Sequence, residues 1–325
     1  MIDQFGRLID YARISVTNSC NLRCVYCMAE KNELTSEKLH LSVEHIIQIC
    51  TAFASLDIRK IKITGGEPLM RKDIADIVRS VKNIDGIKKV TLTTNGILLP
   101  QVLEDLSSRE LDGINISLDS LDANSYKAIT RRGSVNDSLS GLNFALNRGF
   151  SNIKINCVVI EGLNDQEIEN IAALAFDKNI AVRFIEIMPM GFAKQHKLVP
   201  QDQIVMRLEK HFGQLVPCSG NFGNGPAVYY KLPDFCGKIG FISAVSHKFC
   251  TSCNRVRLTA AGHLKTCLHF RNGVDLRTLL ENKVSQAELI CHIENAILQK
   301  PVGHAFCSSF SEYEEEFADM SHIGG

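Results

Sequence analysis

A chain of 325 residues can bury a large core and has room for one large domain or two. Its 36 basic and 36 acidic residues cancel, so no global field draws it to nucleic acid or to an anionic membrane, and an anionic ligand would have to be held by local charges. No apolar run approaches a membrane span, and the N-terminal segment with Asp3, Gln4 and Arg7 lacks an apolar signal core. Both point to the cytoplasm, where twelve cysteines argue for metal or redox chemistry rather than disulfides.

In chain order, strands are expected over 12–16, 60–64, 88–93, 113–118, 153–159 and 182–187. Amphipathic stretches over 43–55, 73–81, 102–107, 139–147 and 166–176 alternate with them. That alternation predicts an α/β fold with a parallel sheet and right-handed crossovers. Six such units make either a partial barrel or a doubly wound sheet, and periodicity alone does not separate the two. Past residue 200 the pattern changes to short strands at 227–232 and 238–243, Gly/Pro turns and a second cysteine group, so the expected division is 1–200 and 201–325.

The first strand leads into Cys20, Cys24 and Cys27, spaced C-x3-C-x2-C on one short loop. A cubane [4Fe–4S] cluster has four irons, usually bound by cysteine thiolates. Three thiolates leave one iron open, where a substrate can bind. The competing readings are a zinc loop or buried thiols, but a zinc finger needs a second ligand pair and none lies near. The triplet resembles the signature of the radical S-adenosylmethionine (SAM) enzymes. The resemblance implies an open (β/α)6 barrel, a partial TIM-like radical SAM barrel, in which the open iron chelates SAM and the backbone of Tyr26 meets the adenine.

Gly65-Gly66-Glu67-Pro68 follows the second strand directly. A glycine pair lets backbone approach a ligand closely, and Glu67 could meet an amino group. Such a run by itself is a turn. After this triplet it resembles the family motif that contacts the SAM amino group at Gly66. Ser117 and Met188 match family SAM contacts by the same resemblance, although Met188 alone reads as core packing. Thr93 alone is a strand end and becomes a substrate contact only by resemblance.

The strand faces carry further information. Ala12, Ile14 and Val16 oppose Arg13, Ser15 and Thr17; Ile61 and Ile63 oppose Lys62 and Thr64. Ile114, Ile116 and Leu118 oppose Asn115, Ser117 and Asp119; Ile153, Ile155 and Cys157 oppose Lys154 and Asn156. A filled barrel carries apolar residues inside. Polar inner faces with Arg13, Lys62 and Lys154 suggest a cavity for a polar anion. One-sided solvent exposure is the alternative, and the intervening helices weigh against it.

The second cysteine group, Cys250, Cys253 and Cys267, is spaced C-x2-C-x13-C. Structural zinc, with His247, His263 or His269 as fourth ligand, fits that spacing as well as an iron–sulfur cluster does. Between the cysteines, Arg255 and Arg257 leave one side of an extended segment, alternating with Val256 and Leu258. Paired Arg forks match phosphate oxygens, which suggests a substrate site rather than a surface pair.

Taken together, these motifs resemble, over the whole chain, the GTP 3′,8-cyclase family of molybdenum cofactor biosynthesis within the radical SAM superfamily. The resemblance implies two [4Fe–4S] clusters, on Cys20, Cys24 and Cys27 and on Cys250, Cys253 and Cys267, the second in a C-terminal extension and contacting the guanine. It implies GTP contacts at Arg13, Lys62, Thr93, Lys154, Arg255, Val256 and Arg257. Relatives often carry Arg at the Lys62 position, and Lys lacks the bidentate fork. The implied reaction takes hydrogen from C3′ of GTP and joins C3′ to C8. The implied partners are a flavodoxin- or ferredoxin-like electron donor, cyclic pyranopterin monophosphate synthase as recipient of the product and, as one arrangement, a second copy in a homodimer. The terminal Gly324 and Gly325 read as a loose end by themselves; the resemblance makes them catalytic, reaching into the active site.

Cys50, Cys157, Cys218, Cys236, Cys291 and Cys307 show no ligand spacing and read as buried or incidental thiols. Glu314, Glu315 and Glu316 read as a solvated face. The rival readings are a peptide-modifying radical SAM enzyme, which would carry more auxiliary cysteines, and a non-enzymatic iron–sulfur or zinc protein.

Overall fold

The computed structural model describes residues 1–31, 40–220, 222–306, 313–316 and 319–323. Strands β1 (Tyr11–Ser15), β2 (Lys60–Thr64), β3 (Lys89–Thr94), β4 (Ile114–Ser117), β5 (Ile153–Val159) and β6 (Ala181–Glu186) pair in sequence order. Every pairing among them is parallel. A doubly wound sheet reverses its strand order at a switch point. None occurs between β1 and β6, so the expected partial barrel is the architecture found. The crossovers carry α1 (Val43–Ser55), α2 (Ile74–Lys82), α3 (Leu99–Val102), α4 (Ala123–Thr130), α5 (Val135–Asn147) and α6 (Ile168–Ala173).

The C-terminal part contributes α7 (Gln201–Phe212), β7 (Val216–Pro217), β8 (Val228–Lys231), β9 (Lys238–Ile242), β10 (Arg255–Leu258), β11 (His263–Lys265), β12 (Gly273–Asp275), α8 (Leu276–Glu281), α9 (Gln286–Leu298) and α10 (Met320–Ile323). β10 lies parallel against β1, and β9 lies parallel against β6. The result is one twelve-stranded sheet, ordered β12-β11-β10-β1-β2-β3-β4-β5-β6-β9-β8-β7, that continues across residue 200.

Register explains the alternating faces. Ala12 stands beside Ile61 and Arg13 beside Lys62; Ile116 stands beside Ile155 and Ser117 beside Asn156. Ile14, Ile63, Ile116 and Ile155 are fully buried in one core with Ile46, Phe53, Ile77 and Leu142 of the helices. The polar residues therefore turn to the other face, inside the half-barrel. Two expectations change. The helix anticipated over 102–107 is instead the short α3, which starts at the Leu99-Pro100 step, where Pro suits the first turn of a helix. The acidic run near the C-terminus is only partly solvated: Glu314 is exposed, but Glu316 is paired with the buried Lys265 of β11. A backbone bridge from Phe270 to Glu315 fixes that pairing. Among the described residues no helix is long and apolar enough to cross a membrane.

Candidate active site

Both cysteine sets line one cavity at the C-terminal ends of the parallel strands. Loops at that end can converge there because a parallel sheet presents all its strand ends on the same side. With the cysteines stand Tyr26 and Gly66 of the loops, Thr93 of β3, Ser117 of β4, Met188 beyond β6, Arg13 of β1 and Arg255 and Arg257 of β10.

The loop bearing the first set is held by its own backbone. Cys27 N donates to Cys24 O at 2.9 Å. Arg23 Nη1 donates to Cys20 O at 2.6 Å and to Leu22 O at 2.8 Å. The glycine pair turns out to serve this loop. Gly66 N donates to Thr17 O at 2.6 Å and Glu67 N to Ser19 O at 2.7 Å. A Cβ on Gly65 would sit 2.6 Å from Thr17 O, and one on Gly66 would sit 2.7 Å from Asn18 O. The close approach that requires glycine is therefore between the end of β2 and the cysteine loop.

Glu67 differs from expectation in the same way. Its buried carboxylate accepts from Leu69 N at 3.0 Å, Thr94 Oγ1 at 2.7 Å and Asn95 N at 2.7 Å, so it joins the ends of β2 and β3 rather than waiting for an amino group. Burial outweighs those bonds and raises it to about 7. Burial also raises Cys20 to about 12, with Glu67 adding to the effect, and raises Cys27 to about 12, with Cys20 adding. Cys24 moves the same way through burial and then Cys27. Three such thiols become thiolates together only beside a strong positive charge, which bound iron supplies. Among the described residues no three Cys, His, Asp or Glu side chains converge on a point that a single ion could occupy.

Tyr26 Oη donates to Asp119 Oδ2 at 2.6 Å, and Val158 N donates to Asp119 Oδ1 at 2.8 Å. Burial still raises Asp119 to about 6. Ser117 and Asn156 line the cavity near this pair.

The cations form a second region. Lys62 and Lys154 are buried on the cavity face of β2 and β5, behind the lining. Burial first, then Arg183, Arg13 and Lys154, pushes Lys62 well below the ordinary lysine value. Burial, then Arg183, Lys89 and Lys238, brings Lys154 to about 7. Among the described residues, the charges that chiefly act on these two lysines are positive. Arg257 is likewise opposed by burial and by Arg13 and Arg255. Such mutual repulsion favours an anion with several charges at this end of the cavity.

Arg183 of β6 belongs to this region and escaped the sequence reading. It donates Nε to Asn156 Oδ1 at 2.8 Å. Its signal was its register opposite Asn156, hidden because Ile185 breaks the polar alternation of β6. The Val256 side chain is fully buried in the core, on the opposite face of β10 from Arg255 and Arg257. Gly324, Gly325 and Cys307 lie outside the described residues.

The second cysteine set has a different environment. Burial opposes the Cys253 thiolate, but the charges of Lys300 and Arg255 outweigh it and lower the thiol to about 7. Thr266 Oγ1, in the cavity wall beside Cys267, is buried and has no hydrogen-bond partner among the described residues. Of the three histidines considered as zinc ligands, only His269 lines the cavity. His263 Nε2 faces Arg271 O at 3.3 Å, and His247 Nδ1 faces Ser246 Oγ at 2.8 Å. Lys300 and His304 also line the cavity and carried no sequence signal, since only tertiary packing brings them there.

Comparison with known proteins agrees with this geometry. Residues 14–175 match the Radical SAM superfamily model, and residues 180–306 match the Molybdenum Cofactor Synthesis C model. GTP 3′,8-cyclase of Alkaliphilus oremlandii is 43% identical, and that of Petrotoga mobilis 41%, each over the full length of both chains. GTP 3′,8-cyclase of Clostridium perfringens is 40% identical over both full chains. Among solved structures, Streptococcus suis SuiB bound to S-adenosylmethionine superposes with a TM-score of 0.61 at 15% identity, over 90% of this chain and 68% of that one. Its complex with the precursor peptide SuiA gives 0.61 at 14% identity, over 91% of this chain and 66% of that one. These structures share the fold. Conservation of length, of both matched regions and of about two residues in five assigns the chain to the GTP 3′,8-cyclase family of the radical SAM superfamily, whose members use SAM and a [4Fe–4S] cluster.

Proposed function

We infer that this enzyme converts GTP to (8S)-3′,8-cyclo-7,8-dihydroguanosine 5′-triphosphate, the first step of molybdenum cofactor biosynthesis. The observation that carries the reading is a single cavity lined by both cysteine sets, with buried cations on the inner face of its strands. Residues 1–200 supply the SAM side and 201–325 supply most of the second wall.

Cys20, Cys24 and Cys27 would hold the SAM-binding [4Fe–4S] cluster, and Cys250, Cys253 and Cys267 a second one. The donor chemistry supports this: each set offers three thiols, the usual ligands of iron–sulfur clusters. When bound, the first cluster and SAM supply hydrogen-atom abstraction from an unactivated C–H bond. Tyr26, Gly66, Ser117 and Met188 frame the SAM side, with Asp119 fixing the Tyr26 ring.

Arg13, Lys62, Lys154, Arg183, Arg255 and Arg257 hold the triphosphate in this reading. Their repulsion in the ligand-free protein becomes attraction once a tetra-anion enters. Anchored there, with Thr93 beside the sugar, the nucleotide turns C3′ toward the SAM side and the base toward Cys250, Cys253 and Cys267. Fixing reactants in this way removes much of the entropic barrier to ring closure. Gly324 and Gly325 keep in this reading the catalytic role that the family resemblance implies. A flavodoxin- or ferredoxin-type protein would supply electrons, and cyclic pyranopterin monophosphate synthase would take the product.

The test is anaerobic incubation of reconstituted protein with SAM, a reductant and GTP. Formation of 5′-deoxyadenosine together with a cyclised guanine nucleotide is expected. Intact clusters with neither product would defeat the reading.

A further inference from the structure

Lys300 follows α9, is 2% exposed, and lines the cavity beside the second cysteine set. Its Nζ donates to Arg255 O at 3.0 Å and to Thr266 O. Arg255 lies two residues after Cys253, and Thr266 immediately precedes Cys267. One ammonium group thus ties the start of β10 to the residue before Cys267, joining the segments that flank two of the three thiols.

The third thiol is tied to the same segment. Arg7 Nη1 donates to Cys250 O at 3.1 Å and to Val302 O at 2.9 Å, and Arg7 Nη2 donates to Pro301 O at 2.8 Å. A Cβ on Gly303 would sit 3.1 Å from Cys250 Cβ and 3.3 Å from its sulfur, so Gly303 packs directly on Cys250. The two cations differ in one respect. Arg7 is neutralised by Asp3, its Nε 2.6 Å from Asp3 Oδ2. Lys300 bonds only to carbonyls, and among the described residues no carboxylate lies within ion-pair reach of it. Its charge is therefore uncompensated unless an anionic group stands in the cavity.

We propose that Lys300 is a positioning residue for the cluster at Cys250, Cys253 and Cys267: it ties the segments bearing Cys253 and Cys267 into one wall and places a buried positive charge against the cluster. The inference rests on reading that set as an iron–sulfur site. A cluster on three thiolates is more negative when reduced, so a fixed cation stabilises the reduced form and raises its potential. Replacing Lys300 by an uncharged side chain of similar length lowers that potential and leaves the other cluster untouched.

The experiment compares wild type, Lys300→Met and Lys300→Arg as full chains prepared anaerobically. Iron and sulfide are counted, and both cluster signals are followed by electron paramagnetic resonance during a redox titration. Roughly eight irons are expected in the wild type. In Lys300→Met one midpoint moves to lower potential, and in Lys300→Arg it returns toward the wild-type value. Two unmoved midpoints in a fully loaded Lys300→Met protein overturn the proposal. Should Lys300→Met lose one cluster, recovery of loading and potential in Lys300→Arg supports the proposal, and failure of Lys300→Arg to recover either overturns it. About four irons in the wild type would instead defeat the second-cluster reading beneath it, a result separate from any comparison of variants.

Discussion

Lys62 and Lys154 sit at alternate positions of strands, where a lysine is ordinarily solvated, yet both are buried among other cations. With Lys154 lowered to about 7, the ligand-free protein loses that charge as pH rises through neutrality. A bound triphosphate restores it and draws a proton from solvent. GTP affinity should therefore fall between pH 7 and 8.5, by up to about tenfold per unit for one linked proton. Lys154→Met should bind weakly even at low pH and lose this dependence. Anaerobic calorimetry in buffers of different ionisation enthalpy measures both the affinity and the proton uptake, and an affinity that ignores pH across this window would refute the idea. Gly66 is a residue-scale constraint of another kind. Gly66→Ala drives a Cβ into the Asn18–Ser19 backbone, which cannot yield without moving Cys20. Iron should fall from roughly eight to roughly four per chain, with the Cys250 side still loaded; full loading would show that the loop can give way.

Buried carboxylates tie the strand ends together. Glu67 joins β2 to β3. Glu167 accepts from Leu121 N at 2.7 Å and Asp122 N at 2.9 Å, securing the chain beyond β4. Glu186 accepts from Val245 N and Ser246 N at 2.9 Å each, securing the chain between β9 and β10 to the end of β6. Each holds a loop of the cavity rim by backbone donors, so losing one loosens the rim before it loosens the core. In Glu67→Gln the amide places N–H groups against donors, at a cost of about 1–3 kcal/mol. A thermal midpoint lower by roughly 2–6 °C should follow, read by calorimetry on anaerobic protein; an unchanged midpoint would show that the three bonds are not supporting the rim. The strands were legible in the sequence because a polar barrel interior leaves period-two alternation intact, and Lys60–Thr64 and Ile153–Val159 lie where that alternation predicted them. The helices past residue 200 were not read, although Ser285 and Glu288 form a capping box ahead of α9. α4 was missed for a physical reason: only Tyr126, Ile129 and Thr130 give it a buried face.

At the scale of the molecule, the sequence could list two cysteine sets but not bring them together. The pairings that do so, β10 on β1 and β9 on β6, join segments far apart in the chain, and no local pattern encodes such contacts. Lys300 was illegible for the same reason, whereas parity alone put Arg13 on the polar face of its strand and Arg255 and Arg257 on one side of theirs, and Arg13 stands beside Arg257 in register. These pairings also make the C-terminal part a structural partner of the barrel. A fragment ending at residue 200 would expose both edges of the six-stranded sheet, each with unpaired N–H and C=O groups along a parallel strand. β1 would lose Ala12–Val256 and its neighbouring pairs, and β6 would lose Val182–Ile239 and its neighbours. Such edges recruit other chains, so the fragment should form soluble aggregates or precipitate even when reconstituted with iron and sulfide. Size-exclusion chromatography with light scattering decides the matter. A monodisperse, monomeric fragment that still loads a cluster at Cys20, Cys24 and Cys27 would mean that the barrel is complete without its flanking strands and that the continuous sheet is a docked arrangement rather than one folding unit.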